Sequence, residues 1–195
     1  MIWSILFHRI VTILIFFPGI FYLLFDKTNI ARKGTTDKFV YALLSSIFLS
    51  FLFVRDMSVL ILIFLCIAIP SVQAILELKS AKHFFNACKE KKFLLQTLIL
   101  IPILEEYIFR FVMYELLTAH EIPPLFYITF SSLAFTFIHY FQLKAKSYYK
   151  LGLGLMLATV YVYTANLFVV ILMHVLFNVL VYLFKYTNHY RGYQT

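Results

Sequence analysis

Long hydrophobic runs separated by short charged loops make up most of this 195-residue chain. A bilayer core about 30 Å thick is crossed by about 20 apolar helical residues, with a working range of about 17–25. The pattern predicts an all-α fold, a polytopic transmembrane helix bundle of about seven spans. The predicted spans are Ile10–Phe25, Phe39–Val54, Met57–Leu76, Phe93–Leu117, Pro124–Leu143, Lys150–Thr164 and Leu167–Lys185.

The loops between these runs are short, and no internal repeat divides them. Residues 1–195 are therefore expected to form a single integral membrane domain. The linker Glu77–Lys92 carries five lysines interleaved with aromatic residues, which favours a position along the membrane surface. Gly152 and Gly154, in the sixth span, are small residues suited to close helix packing.

Basic residues fall unequally on the two sets of loops that seven spans create. Fourteen Lys and Arg residues lie on one side and two, Arg9 and Arg55, on the other, while Arg110 lies inside a span. Cytoplasmic loops carry the excess of Lys and Arg in membrane proteins. We therefore expect a cell-membrane protein with its N-terminus outside and its C-terminus in the cytoplasm.

Composition agrees with a membrane protein. The chain is 63% hydrophobic and 13% charged, against about 45–50% and about 25% in a soluble domain. The partner implied is the lipid bilayer, and the positive-inside rule accounts for the net charge of +8 without any nucleic-acid partner. Cys66 and Cys88 lack metal-type spacing, so neither a disulfide nor a metal site is predicted from them.

Three charged residues, Glu105, Glu106 and Arg110, stand together inside the fourth predicted span. A charge near the bilayer centre costs at least about 2.5–3.5 kcal/mol, so such groups are rare and usually functional. Glu106 and Arg110 are about 40° apart on a helix, in the favourable Glu-first order, which predicts a bracing ion pair. Glu105 points about 140° away from Arg110. It is left without a local counter-ion and is the predicted proton acceptor and donor. Pro102 is expected to kink this helix.

Two other predicted spans each carry a histidine. Phe135 and His139 are four residues apart, so the phenyl ring can pack on the imidazole. His174 and Asn178 share a helix face in the same way. Because none of these polar side chains tolerates lipid, we expect them to meet Glu105 in one hydrated pocket.

Two kinds of hydrolytic chemistry fit this set. A glutamate and a histidine can activate water, while a second histidine and an asparagine amide donate hydrogen bonds to an oxyanion. Alternatively, Glu105, His139 and His174 form a His₂Glu set that could hold Zn²⁺ with an open water position. We favour the metal-free interpretation, with no cofactor required and Zn²⁺ as the alternative, because Asn178 suits an oxyanion better than zinc.

At these residues the chain resembles the CPBP family, the CAAX-protease and bacteriocin-processing type of intramembrane protease. The family pattern is Glu-Glu-x-x-x-Arg, then Phe-x-x-x-His, then His-x-x-x-Asn, each on its own helix. All three occur here in order, and the resemblance covers a core of residues 93–185. The matching segments are Glu105-Glu106-Tyr-Ile-Phe-Arg110, Phe135-Thr-Phe-Ile-His139 and His174-Val-Leu-Phe-Asn178.

The resemblance implies an intramembrane endopeptidase acting on a membrane-associated peptide or a lipidated protein, in CAAX-type processing, peptide maturation or a bacteriocin-related reaction. It implies that Glu105 and His139 activate water and that His174 and Asn178 stabilise the tetrahedral intermediate. Glu106 and Arg110 would then support the site structurally.

Two other functions are compatible with the same residues. A proton-coupled transporter could use Glu105, His139 and His174 as a relay, although a relay gives no reason for Asn178. A non-catalytic immunity protein could bind a peptide in the same groove.

The predicted depth of His139 in the membrane restricts how the helices can bring the three side chains together. At about 1.5 Å per residue, Glu105 and His174 lie about 17–18 Å from their cytoplasmic span ends, but His139 lies only about 6 Å from Leu143. The three side chains can meet if span five extends past Leu143 or if span four is displaced at Pro102. We favour the longer helix.

Overall fold

A computed structural model describes residues 2–28, 34–50, 64, 68, 71–72, 76 and 80–191. Every regular element within them is helical, which confirms the all-α prediction. Most of the predicted third span, Met57–Leu76, lies outside the described residues, as does Cys66. The main helices are α1 (Ile2–Phe16), α2 (Gly19–Lys27), α3 (Thr35–Ser50), α4 (Ala81–Glu90), α5 (residues 92–118), α6 (Pro124–Leu143), α7 (Tyr149–Thr164) and α8 (Leu167–Arg191).

Helix length and apolarity give fewer spans than the sequence pattern does. Within the described residues, one helical run, Pro124–Thr164, is long and apolar enough to cross a membrane, and it contains α6 and α7. The bent pair of Leu6–Phe16 and Gly19–Lys27 counts as a second if it is one span, while the apolar helix Leu167–Leu183 is shorter. Seven spans therefore stay a prediction.

The predicted first span, Ile10–Phe25, is not one straight helix. α1 ends at Phe16 and α2 continues at an angle of 84°. Pro18 lies at the break, where it lacks an N–H and its ring clashes with the preceding turn. A Cβ on Gly19 would overlap the ring of Phe141 in α6, so the absent side chain allows α2 to approach α6 closely.

α5 lies at the centre of the bundle and contacts α1, α3, α6, α7 and α8. Its backbone alternates between α-helical and wider π-helical turns, and Pro102 is the second residue after the first wide segment. π-helical segments are rare in proteins, and those that occur often lie at functional sites. The successive parts are Lys92–Leu95 (α), Gln96–Leu100 (π), Ile101–Glu106 (α), Tyr107–Val112 (π) and Met113–Thr118 (α).

α6 and α7 pack closely against each other. α6 ends at Leu143, and a 3₁₀ turn, Lys144–Tyr148, connects it to α7. A Cβ on Gly154 would lie 3.2 Å from the backbone of Ser132, so the packing prediction holds for Gly154. It is wrong for Gly152 as far as the described residues go, because a Cβ there would meet none of them within 4 Å.

Candidate active site

Glu106 binds two other residues of the predicted site. Its Oε2 lies 2.9 Å from Arg110 Nε, which is the ion pair that the four-residue spacing predicts. Its Oε1 lies 2.8 Å from His174 Nδ1 on α8. All three side chains are fully buried. Glu106 therefore joins the second half of α5 to α8, a contact that the sequence analysis did not predict.

The far side of Arg110 is bound by α6. Arg110 Nη1 donates to Ser131 Oγ at 2.8 Å, and that hydroxyl donates to the carbonyl oxygen of Phe109 at 2.7 Å. The guanidinium also lies 5.2 Å from the centroid of the Phe135 ring. Ser131 was missed by the sequence analysis because it belongs to none of the three motifs.

Glu105 lies between the two histidines. Glu105 is only 1% exposed. Its Oε1 lies 3.4 Å from His139 Nε2, and its Oε2 lies 3.8 Å from His174 Nε2. Among the described residues, both oxygens of Glu105 and Nε2 of His174 are buried without a hydrogen-bond partner. Since buried polar atoms normally have one, these atoms are available to a reacting molecule.

Both imidazole rings have one nitrogen committed to an oxygen. His139 Nδ1 lies 2.9 Å from the carbonyl of Phe135, which can only accept, so this nitrogen donates. His174 Nδ1 donates in the same way to the Glu106 carboxylate. In a neutral ring Nε2 then carries the lone pair, and both Nε2 atoms face Glu105.

Aromatic rings hold these groups in place. The buried ring of Phe135 lies 4.6 Å from the His139 ring and 5.7 Å from the His174 ring, measured between centroids. Packing on His139 was predicted from the spacing, whereas the contact with His174 was not. Phe39 of α3 packs edge-on against His139 at 5.8 Å. The sequence analysis missed Phe39, which carries no motif.

Asn178 is half-buried one turn beyond His174 on α8. Its Nδ2 donates to the carbonyl oxygen of Thr97 at 3.3 Å, in the first π segment of α5. One N–H of the amide is used in this bond, and a second remains on the same nitrogen.

Lys150, at the start of α7, is the first residue of the predicted sixth span and one of the fourteen basic residues counted on the cytoplasmic side. It is only 9% exposed, and its Nζ lies 5.9 Å from the centroid of Phe177 on α8. Its charge interacts with Glu105, His139 and His174. Its position beside a predicted span end is the only sequence signal, and that signal favoured the membrane interface.

The zinc alternative requires Glu105, His139 and His174 to surround one ion. The donor chemistry is suitable, because both histidines present Nε2 while Nδ1 is anchored on an oxygen, as in many zinc sites. However, no group of three His, Cys, Asp or Glu side chains in the described ranges is arranged to hold a metal ion. We therefore derive no step through a metal.

The three side chains meet without a longer α6. The expectation that this helix extends past Leu143 was wrong, because it ends there and Lys144 adopts a φ of 52°. The irregular part is α5, whose π segment Gln96–Leu100 precedes Pro102. The other prediction, that span four is displaced at Pro102, concerns this same region.

Comparison with known families bears on the same segment. Residues 90–180 match the family model described as Rce1-like, type II CAAX prenyl endopeptidase Rce1-like. The matched range contains all three motifs, and it confirms the family predicted from them. It supports a membrane-embedded protease. Comparisons with curated proteins and with solved structures found no match.

Proposed function

We propose that this chain, whose residues 90–180 match the Rce1-like CAAX endopeptidases, hydrolyses a peptide bond of a membrane-associated peptide or protein within the membrane. The observation that carries the proposal is the position of Glu105. This buried carboxylate faces the Nε2 atoms of two histidines that come from separate helices. General acid–base hydrolysis needs such a carboxylate beside groups that orient water.

In the proposed reaction Glu105 takes a proton from water while the water oxygen attacks the substrate carbonyl carbon. The Nε2 lone pair of His139 accepts a hydrogen bond from the second O–H of that water and so orients it, and this second hydrogen stays on the attacking oxygen. The electron pair of the C=O bond moves onto oxygen. As the C–N bond then breaks, Glu105 returns its proton to the departing amine, so protons and electrons balance.

The oxyanion is assigned to His174 and Asn178. Asn178 can offer its second N–H, because the first is bound to Thr97. His174 already donates from Nδ1 to Glu106. It can therefore donate to the oxyanion only when Nε2 also carries a proton.

Glu106 and Arg110 have a supporting role in this proposal. Glu106 fixes the ring of His174, and Arg110 with Ser131 fixes Glu106. Glu106 and Arg110 each have two contacts in this network, which holds the His174 ring within the narrow range of orientations that catalysis requires.

The proposed substrates are lipidated proteins of the CAAX type or membrane peptides undergoing maturation, in a cell membrane with the N-terminus outside. The test uses the purified chain in liposomes with a farnesylated peptide that ends in a CAAX sequence, and with its unprenylated counterpart. Hydrolysis in H₂¹⁸O should place one ¹⁸O in the new carboxyl group, which mass spectrometry detects.

The matched variants are Glu105→Gln and Glu115→Gln, on the same helix. Glu105→Gln should abolish cleavage because an amide cannot accept the proton of water, whereas exposed Glu115 should be dispensable. We expect strong chelators to leave turnover intact. We also expect the purified protein to contain far less than one zinc per chain. Stoichiometric zinc with chelator-sensitive, zinc-rescued turnover would contradict the metal-free mechanism, and full activity of Glu105→Gln would refute the proposed function.

A further inference from the structure

We infer that Tyr127 and Ser131 of α6 are positioning residues for the proposed hydrolysis. Their hydroxyl groups bind the wide turn Tyr107–Val112 of α5, and this turn carries Arg110. Through Arg110 they set the orientation of the His174 ring. The inference rests on the proposed hydrolysis and concerns two residues that none of the three motifs contains.

The wide turn changes the backbone hydrogen bonds of α5. In a regular α-helix the N–H of Met113 would donate to the carbonyl oxygen of Phe109, four residues earlier. Here that N–H points to the carbonyl oxygens of Ile108 and Arg110 instead. The buried Phe109 carbonyl therefore loses the donor that regular helix geometry would supply, and buried carbonyls normally have a donor. A donor from another helix can take this place.

Two hydroxyl groups of α6 take that place. Ser131 Oγ donates to the Phe109 carbonyl at 2.7 Å. The Tyr127 hydroxyl lies 3.3 Å from the carbonyl oxygens of both Phe109 and Arg110. Tyr127 and Ser131 are four residues apart, so they lie on one face of α6, and both are fully buried. Loss of either donor would penalise the wide turn relative to a regular one, because a buried carbonyl without a donor is costly.

Ser131 also connects the turn with the site. A hydroxyl group has one hydrogen to donate and two lone pairs to accept. Since the hydrogen of Ser131 goes to Phe109, its oxygen accepts from Arg110 Nη1, at 2.8 Å. The same guanidinium pairs with Glu106 at 2.9 Å, and Glu106 binds His174 Nδ1 at 2.8 Å. One continuous chain of contacts thus runs from Ser131 to the ring of His174.

Tyr127 acts on the same chain of contacts through the backbone. If the turn narrowed to a regular α-helical one, the Phe109 carbonyl would regain its backbone donor, and the residues before the turn would rotate about the helix axis relative to those after it. Glu106 lies just before the turn and Arg110 within it, so their side chains would change position relative to each other. The Tyr127 hydroxyl, shared between two carbonyl oxygens of the turn, opposes that change.

The experiment measures kcat and KM in the liposome assay described above, for variants that remove one hydroxyl group each. Ser131→Ala breaks the chain of contacts. We expect kcat to fall by about 10²-fold, the effect of a small misplacement at a reacting centre, with KM little changed. Tyr127→Phe should lower kcat by less, because it keeps the bonds of Ser131. Ser131→Thr, which keeps a hydroxyl group, should retain clearly more activity than Ser131→Ala.

Each variant has a matched control that loses the same group elsewhere in the core. Ser132 is as fully buried as Ser131, but its hydroxyl donates within its own helix, at 2.6 Å. Tyr161 packs edge-on against the Tyr114 ring, as Tyr127 does. Ser132→Ala and Tyr161→Phe should therefore match the unmodified protein in kcat.

A general loss of packing is separated from positioning by observing the His174 ring directly. In protein labelled with ¹⁵N-histidine, the Nδ1–H signal of His174 is assigned by its absence from His174→Gln. A hydrogen bond to a carboxylate moves this proton downfield. We expect the signal to move upfield in Ser131→Ala and Tyr127→Phe and to stay in place in the two controls. The Nδ1–H of His139, which is bound to Phe135, serves as the internal reference.

The outcomes are distinguishable. An unmoved His174 signal in both Ser131→Ala and Tyr127→Phe, or unchanged kcat in both, would overturn this inference alone, as would an equal loss of kcat in Ser132→Ala. If Ser131→Ala does not fold, Tyr127→Phe decides, because it removes a single oxygen atom. Absence of any hydrolysis by the unmodified protein would overturn the proposed function, and the His174 signal would still test whether the two hydroxyl groups set the ring.

Discussion

Glu106 uses both of its carboxylate oxygens, one for Arg110 and one for His174, whereas Glu105 makes no hydrogen bond among the described residues. The adjacent carboxylates therefore differ in what they hold together. Removing one partner of a buried ion pair costs about 3–5 kcal/mol, because the other charge is left uncompensated. A neutral amide at position 106 would leave Arg110 in that state.

We predict that Glu106→Gln lowers the free energy of unfolding by about 3–5 kcal/mol, while Glu105→Gln leaves it nearly unchanged. Thermal melting of both variants in detergent measures the difference. Activity should be lost in both. Equal destabilisation by the two substitutions would contradict the separation of a supporting glutamate from a reacting one.

Local spacing was sufficient to predict part of this residue-level arrangement. The Glu106–Arg110 pair and the Phe135–His139 contact both join residues four apart, and helix geometry alone brings such residues together. The bond between Glu106 and His174 spans 68 residues. It depends on how α5 and α8 are placed against each other, which no local pattern encodes.

At the scale of the elements, the α6–α7 contact positions the catalytic rings. Gly154 of α7 faces Ser132 and Phe135 of α6, with 3.2 Å from a built Cβ to each. Phe135 in turn packs on His139 and His174. A larger side chain at position 154 would have to push α6 away from α7, and this would displace the rings of Phe135 and His139 relative to Glu105.

We predict that Gly154→Val lowers the free energy of unfolding by about 1–3 kcal/mol, the usual cost of overpacking. The loss of kcat should exceed the loss expected from the fraction of protein that is unfolded at the assay temperature. Gly152→Ala is the control, since a Cβ there would meet none of the residues that the structure describes within 4 Å. Both variants are measured by melting in detergent and by turnover in liposomes. A Gly154→Val protein with unchanged kcat would show that the α6–α7 contact does not set the ring positions.

Breaks within helices were harder to predict than the helices themselves. Hydrophobicity identified α6 with both bounds correct, at Pro124 and Leu143. It joined α1 and α2 into one span, because apolarity continues across Pro18 while the backbone turns. Pro102 did mark irregular backbone in α5, but the hydrophobic pattern gives no sign of the widened turns at Gln96–Leu100 and Tyr107–Val112.

At the scale of the whole molecule, ion pairs place two predicted loops at one end. Lys38 Nζ lies 2.7 Å from Asp26, and Lys92 Nζ lies 2.7 Å from Asp37. The end of α2 and the starts of α3 and α5 therefore lie together. These contacts agree with the grouping of the first two basic loops on one side, although that grouping was made from charge alone.

The last prediction concerns orientation, which follows from the imbalance of basic residues between the two sets of loops. With Cys66 and Cys88 replaced by alanine, a single cysteine at Ser80 or at Thr195 should react with a membrane-impermeant maleimide only after the cytoplasmic face is opened. A cysteine at His120, which is exposed beyond the end of α5, should react in intact cells. His120 is the matched control, because its labelling proves that the reagent reaches the outer face. Labelling of Ser80 and Thr195 from opposite sides would mean an odd number of crossings between them. The four spans predicted there, and with them the seven-span arrangement, would then be wrong. Labelling of all three positions from the side opposite to that expected would leave the crossings intact and reverse the orientation, so that the end of the bundle carrying Lys38 and Lys92 would face outward.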